Sequence, residues 1–197
     1  MELLIIRSAL AFLATFDFLN FLKIILIPLH FSWLILFFIC LLGWLFWELC
    51  LKKHFPFSLL LIIFFTVHIY ADTLGNAFKF YDKFKWYDRL THFTAGILAG
   101  LFSLSLLFYF NKKNQWQMGF KSLLFLAISI SLTLSLSYEF WEYFAYSVLK
   151  YKELIIGETD TIDDLLFDLL GGLVSIFLFA PLLKKNYLPA KGKDSKR

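Results

Sequence analysis

Ionisable residues in this sequence gather at the ends of four apolar runs, and their spacing limits the chemistry they can do. His68 and Asp72 close one run, and Asp88 and His92 open the next. Glu139 and Glu142 come late in a third, and Asp160, Asp163, Asp164 and Asp168 open the last. His68/Asp72 and Asp88/His92 are each four residues apart, which stacks the two side chains on one helical face. Asp160, Asp164 and Asp168 form a ladder with the same step, and Glu139/Glu142 are three apart. Two imidazoles and several carboxylates converging from different helices can hold a divalent metal. A carboxylate-dominated set suits Mg²⁺ or Mn²⁺, and imidazole nitrogen favours Zn²⁺. The candidate ligands are His68, Asp72, Asp88, His92, Asp164 and Asp168, with Glu139 or Glu142 as general base. Such a metal would polarise a phosphoryl or carbonyl oxygen and lower the pKa of a bound water.

The elements that must position these groups follow from composition. Of 197 residues, 60% are hydrophobic and 17% charged, with a mean hydropathy of +0.72. A soluble domain is about half apolar and about a quarter charged. The excess falls in blocks of about 20 residues, the length of a membrane-crossing helix. Soluble enzymes, disulfide scaffolds and disordered chains are excluded. Solid apolar runs also exclude a transmembrane β-barrel, whose strands alternate. The expected fold is an all-α, polytopic transmembrane bundle of about six spans. These are Leu3–Leu22, Ser32–Leu51, Pro56–Leu74, Leu90–Phe110, Phe120–Ala145 and Asp164–Leu183.

Residues 1–183 read as one helical domain, and 184–197 as a basic, disordered cytoplasmic tail. The aromatic-rich segment Gly75–Asp88 reads as a piece lying in the interface. Six spans put both termini on one side, and that side receives twelve of the 19 Lys and Arg. The bias favours cytoplasmic termini in a bacterial inner membrane, with the polar helix ends at the opposite face. The net charge of +4 therefore belongs to loops and the tail, and no nucleic-acid partner is implied. Cys40 and Cys50, ten residues apart on one helix, are about 15 Å apart along its axis. A disulfide needs Cα atoms within about 7 Å, so they do not pair with each other. Asp17, Asn20 and Lys23 in the first run argue against a removed signal peptide.

Structural roles compete with each functional one. Asp160 and Asp163 can complement the positive end of the last helix. Asp168 lies a turn deeper, beside Gly171 and Gly172, which permit close helix approach. Glu139 and Glu142, flanked by Tyr138, Trp141 and Tyr143, can be interfacial acids in an aromatic belt. Asp88 can pair with Arg89 or Lys85, and His68 can be a lone hydrogen-bonded residue. Asp17 can pair with Lys23 or join the cluster, while Glu48 with Lys52 reads as a structural ion pair.

The string Tyr87-Asp88-Arg89-Leu90-Thr91-His92-Phe93, followed by Gly96, resembles the signature of an uncharacterised bacterial inner-membrane family typified by YjdF. His68 with Tyr70, Glu139-Phe140-Trp141-Glu142, and the Asp160, Asp164, Asp168 ladder running into Gly171 resemble its further motifs. The likeness covers about residues 60–175 in the same order. A looser likeness exists to VanZ-like membrane proteins. Arg89 stands where those have a lysine, and Glu142 where they usually have a glutamine. The resemblance implies a shared polar site and leaves the reaction unnamed.

Three functions remain open at this level. One is a metal-dependent hydrolase or transferase acting on a lipid or polyprenyl phosphate at the outer leaflet. The second is a non-enzymatic envelope or assembly factor whose acids only fix the bundle. The third is a proton-coupled transporter, which would more usually place its site near the midplane. The Asp160–Asp168 run superficially resembles the CDP-alcohol phosphotransferase motif but lacks its Gly and Ala-Arg elements. Membrane lipids are the expected surroundings, and the sequence is silent on oligomeric state.

Overall fold

The computed structural model describes residues 2–21, 32–51, 55–112, 118–148 and 160–187. Every one of the six expected runs is helical. They form α1 (Glu2–Phe21), α2 (Ser32–Phe46), α3 (Ser58–Phe78), α5 (Lys85–Lys112), α6 (Phe120–Ser147) and α7 (Asp160–Tyr187). A π-helical turn, Trp47–Leu51, extends α2, and a short α4 (Phe80–Lys83) lies between α3 and α5. Among the described residues there is no strand. Among the described residues, four helices, α3, α5, α6 and α7, are long and apolar enough to cross a membrane, and Phe37–Leu49 is a shorter apolar stretch.

The helices run further than the hydropathy edges at the polar end. α5 begins at Lys85 rather than Leu90, and α7 at Asp160 rather than Asp164. Both extensions are acidic in their first turn, where the unpaired N–H groups of a helix favour negative charge. The segment 75–88 is likewise helical except at Lys79 and Phe84. Lys79 adopts φ +56°, and its N–H bonds to Gly75 O, ending α3 in a left-handed turn. Phe80 stacks on Phe78 and meets Tyr87 edge-on, so the aromatic side chains lock α4 across the ends of its neighbours. At the other terminus α7 runs to Tyr187, four residues into the expected tail, and 188–197 lie outside the described residues.

Two apolar clusters hold the bundle. Leu10, Leu13, Cys40, Trp47, Leu61, Ile62, Ile69 and Leu101 join α1, α2, α3 and α5. Leu104, Leu107, Phe108, Leu123, Ala127, Ile176, Ala180 and Leu183 join α5, α6 and α7. The second cluster uses the C-terminal halves of α5 and α7 and the N-terminal half of α6, which is the end of the bundle away from His92. Large apolar side chains such as Phe125, Phe140, Phe177 and Leu178 face outward, while Asp17, His92, Glu139, Asp164 and Asp168 are buried. That inverts the soluble pattern and fits a lipid solvent.

The closest approach is between α5 and α7. A Cβ on Gly96 would stand 2.0 Å from Asp168 O, and one on Gly171 would stand 2.1 Å from Phe93 O. Gly100 faces Ser175 and Gly172 in the same way one turn further on. The backbones touch directly, which only glycine allows. Gly96→Ala and Gly171→Ala should each cost about 1–3 kcal/mol by overpacking and lower the melting temperature in detergent. Gly119→Ala, with open space around its Cβ, should not.

Candidate functional site

The glycine contact sets His92 one turn before Gly96 on α5, facing Asp164 and Asp168 on α7. α6 brings a stripe at four-residue steps, Leu123, Ala127, Ser131, Ser135 and Glu139, whose last member faces the same ring. The His92 ring is buried and has an acid on each flank of each nitrogen. Nε2 lies 3.7 Å from Asp88 Oδ1 and 3.7 Å from Asp164 Oδ2. Nδ1 lies 3.7 Å from Glu139 Oε1 and 3.5 Å from Asp168 Oδ2. The Tyr138 ring meets the imidazole edge-on at 6.0 Å.

Ligand atoms of His92, Glu139, Glu142 and Asp164 all lie within 4.8 Å of one another. Ligands on opposite sides of an ion with bonds of about 2.1–2.5 Å are about 4–5 Å apart, so this spacing admits one cation. A second set, Asp88, Asp160 and Asp164, meets the same limit and shares Asp164. Glu139 Oε1 and Asp168 Oδ1 are buried without a hydrogen-bond partner. Oxygens in that condition are costly unless a proton or cation meets them. The donor set, carboxylate oxygens with one imidazole, fits Mg²⁺, Mn²⁺ or Zn²⁺.

Six of the expected site residues therefore meet: Asp88, His92, Glu139, Glu142, Asp164 and Asp168. His68 and Asp72 are engaged elsewhere. His68 Nδ1 is 3.0 Å from Thr94 Oγ1, which ties α3 to α5 beside the site. Asp72 Oδ1 accepts from Tyr81 Oη at 2.6 Å and, more weakly, from Asn76 Nδ2 at 3.4 Å. Burial, together with the Asp72 carboxylate, raises the Tyr81 pKa well above its ordinary value and keeps the hydroxyl a donor.

One surface pairing differs from expectation. Arg89 bonds Asp163 Oδ2 at 2.6 Å rather than Asp88, linking α5 to the first turn of α7. Its guanidinium also lies over Phe167. Glu48 takes a two-pronged bond from Arg7, at 2.6 and 3.0 Å, and its expected partner Lys52 lies outside the described residues, as does Lys23. The sequence reading missed Gly100, Thr94 and Tyr81. The Gly96–Gly100 spacing was the available signal for the first; a hydroxyl among apolar residues gives none for the other two.

Residues 4–185 match the model of a family described as predicted membrane protein (DUF2238), and the chain belongs to it. This is the family typified by YjdF. Neither a curated protein nor a solved structure matches.

Removing the Tyr81 hydroxyl leaves Asp72 with one weak bond. Tyr81→Phe should destabilise the protein by about 1.5–3 kcal/mol, the range for a hydrogen bond to a charged group. Denaturant or thermal unfolding in detergent measures it. An Arg89→Ala change breaks an exposed pair and should cost at most about 1 kcal/mol.

Proposed function

We propose that this member of the DUF2238 membrane-protein family is a divalent-cation-dependent hydrolase or transferase acting on a lipid or polyprenyl phosphate. The observation that carries the reading is the buried group His92, Glu139, Glu142 and Asp164, whose ligand atoms lie within one coordination diameter. His92, Glu139 and Asp164 would hold the cation, with Asp88 and Asp168 beside the imidazole. Once bound, it would polarise a phosphoryl oxygen and acidify a water. Glu142, less buried than Glu139, is the better placed general base. The acid sits among apolar, lipid-facing helices, which matches a substrate delivered from the bilayer with its phosphate at the helix ends.

The helical domain runs to the end of α7 at Tyr187, and a basic cytoplasmic tail follows it. In this reading the chain lies in a bacterial inner membrane with both termini cytoplasmic and the site at the outer face, as the bias of twelve in 19 basic residues supports. Reporter fusions after Lys53 and Lys112 should read cytoplasmic, and one near Lys152 external. An external C-terminal tail would overturn the shared-face argument.

Protein purified without chelator should carry a stoichiometric divalent ion by elemental analysis. Added Mn²⁺, Mg²⁺ or Zn²⁺ at 100 times its Kd should stabilise the stripped protein by about 2.7 kcal/mol. His92→Ala and Asp164→Asn should lose that response. Glu142→Gln should keep the fold while losing phosphate release from a polyprenyl diphosphate in micelles.

A second reading has its own observation: His92 lies within 3.5–3.7 Å of four carboxylates, and an imidazolium there would itself be their counter-ion. That would make the cluster a structural core of an envelope or assembly factor. Metal-free protein with no gain in stability from any of the three ions selects this reading and ends the metal one.

A further inference from the structure

We propose a second ion site, for a monovalent cation with the hardness of Na⁺, between α1 and α3 and apart from the His92 group. Asp17 is fully buried, at 0% exposure, and neither of its carboxylate oxygens has a hydrogen-bond partner. Asn20, three residues on and so on the same face of α1, is also fully buried. Its Nδ2 donates to Phe16 O at 3.0 Å, which fixes the amide orientation and leaves Oδ1 unpartnered. From α3, Thr73 is 2% exposed, and its hydroxyl is the hydrogen-bonding neighbour of the Asp17 carboxylate but falls short of full hydrogen-bond geometry.

The chemistry of the set selects the ion. It consists of oxygens alone, from a carboxylate, an amide carbonyl and a hydroxyl, which suits a hard cation and not a soft or borderline metal. The competing occupant is a proton on Asp17, donated to Asn20 Oδ1 while the Thr73 hydroxyl donates to the other carboxylate oxygen; only a cation makes stability depend on the salt. Asp72 Oδ1 is engaged by Tyr81 and Asn76, so Asp17 is the one carboxylate of the set, and a monovalent ion matches its charge. Asp17, Asn20 and Thr73 belong to neither metal-spaced group around His92. The ion would tie α1 to α3, and α3 reaches the His92 region through His68 and Thr94.

The test uses the full chain in detergent with EDTA present, so that no divalent ion contributes. Melting temperature is followed in NaCl, KCl and N-methyl-D-glucamine chloride at equal ionic strength, and binding of radioactive Na⁺ is measured directly. Wild type should be stabilised saturably by Na⁺ and retain the label. Asp17→Asn, nearly isosteric, should lose both responses, Thr73→Val should weaken them, and His92→Ala should keep them. Equal melting temperatures in the three salts with no bound label would overturn the proposal. So would a Na⁺ response that survives Asp17→Asn. Stability that follows pH but ignores Na⁺ would mean that Asp17 holds a proton, and the cation site would fall. None of these outcomes bears on divalent binding at His92, which EDTA has removed from the experiment.

Discussion

The backbone contact between α5 and α7 is the constraint on which the rest of the arrangement depends. Gly96, Gly100, Gly171 and Gly172 have no side chains to keep the two helices apart, so carbonyls and Cα atoms meet directly. In a bilayer, apolar side chains gain little by leaving lipid for one another, and close van der Waals packing becomes the main source of helix adhesion. Gly96 and Gly100, four apart on α5, and Gly171, Gly172 and Ser175 on α7 set both the distance and the rotation of the pair. His92 sits four residues before Gly96, and Asp168 three before Gly171. The contact that holds the helices together therefore also aims an imidazole at a carboxylate.

Around that pair the bundle concentrates negative charge where water is scarce. Five acids reach His92 or share its group, and they come from three helices. Like charges at low dielectric repel strongly, and each buried acid loses hydration as well. Something must offset this: a cation, bound protons, or the imidazolium. The apolar cluster of Leu104, Leu107, Phe108 and their partners on α6 and α7 closes the far half of the same three helices. One half of the trio supplies packing, and the other half accepts the electrostatic cost. Such a division is uncommon unless the costly half has a use.

α3 and α4 support the site from the side. His68 and Asp72 lie one turn apart, as their spacing required, yet each is held by a hydroxyl from a neighbouring element. Thr94 and Tyr81 thus convert two potential ligands into struts. Tyr87 adds a third by donating to Ala71 O at 2.6 Å. Asp17 belongs to the same wall of polar groups but is the one acid in it with both oxygens unsatisfied.

The sequence by itself determined the class of the fold, the six helical runs, and the end of the bundle where the acids gather. These follow from local quantities: the length of apolar runs, the four-residue step between polar groups, and alternation of helix direction. It also marked Gly171 and Gly172 as points of close approach. Which polar residues meet was decided only by tertiary structure. His68/Asp72 and Asp88/His92 have the same residue types at the same spacing, and no local rule separates a ligand pair from a pair of struts. The difference lies in what faces each helix: α7 presents carboxylates to Asp88 and His92, whereas α4 and α5 present hydroxyls to Asp72 and His68. The partner exchange at Arg89 has the same origin. Arg89 chose Asp163 over its chain neighbour Asp88 because consecutive helical residues point about 100° apart, while the α5–α7 crossing brings a distant carboxylate within reach.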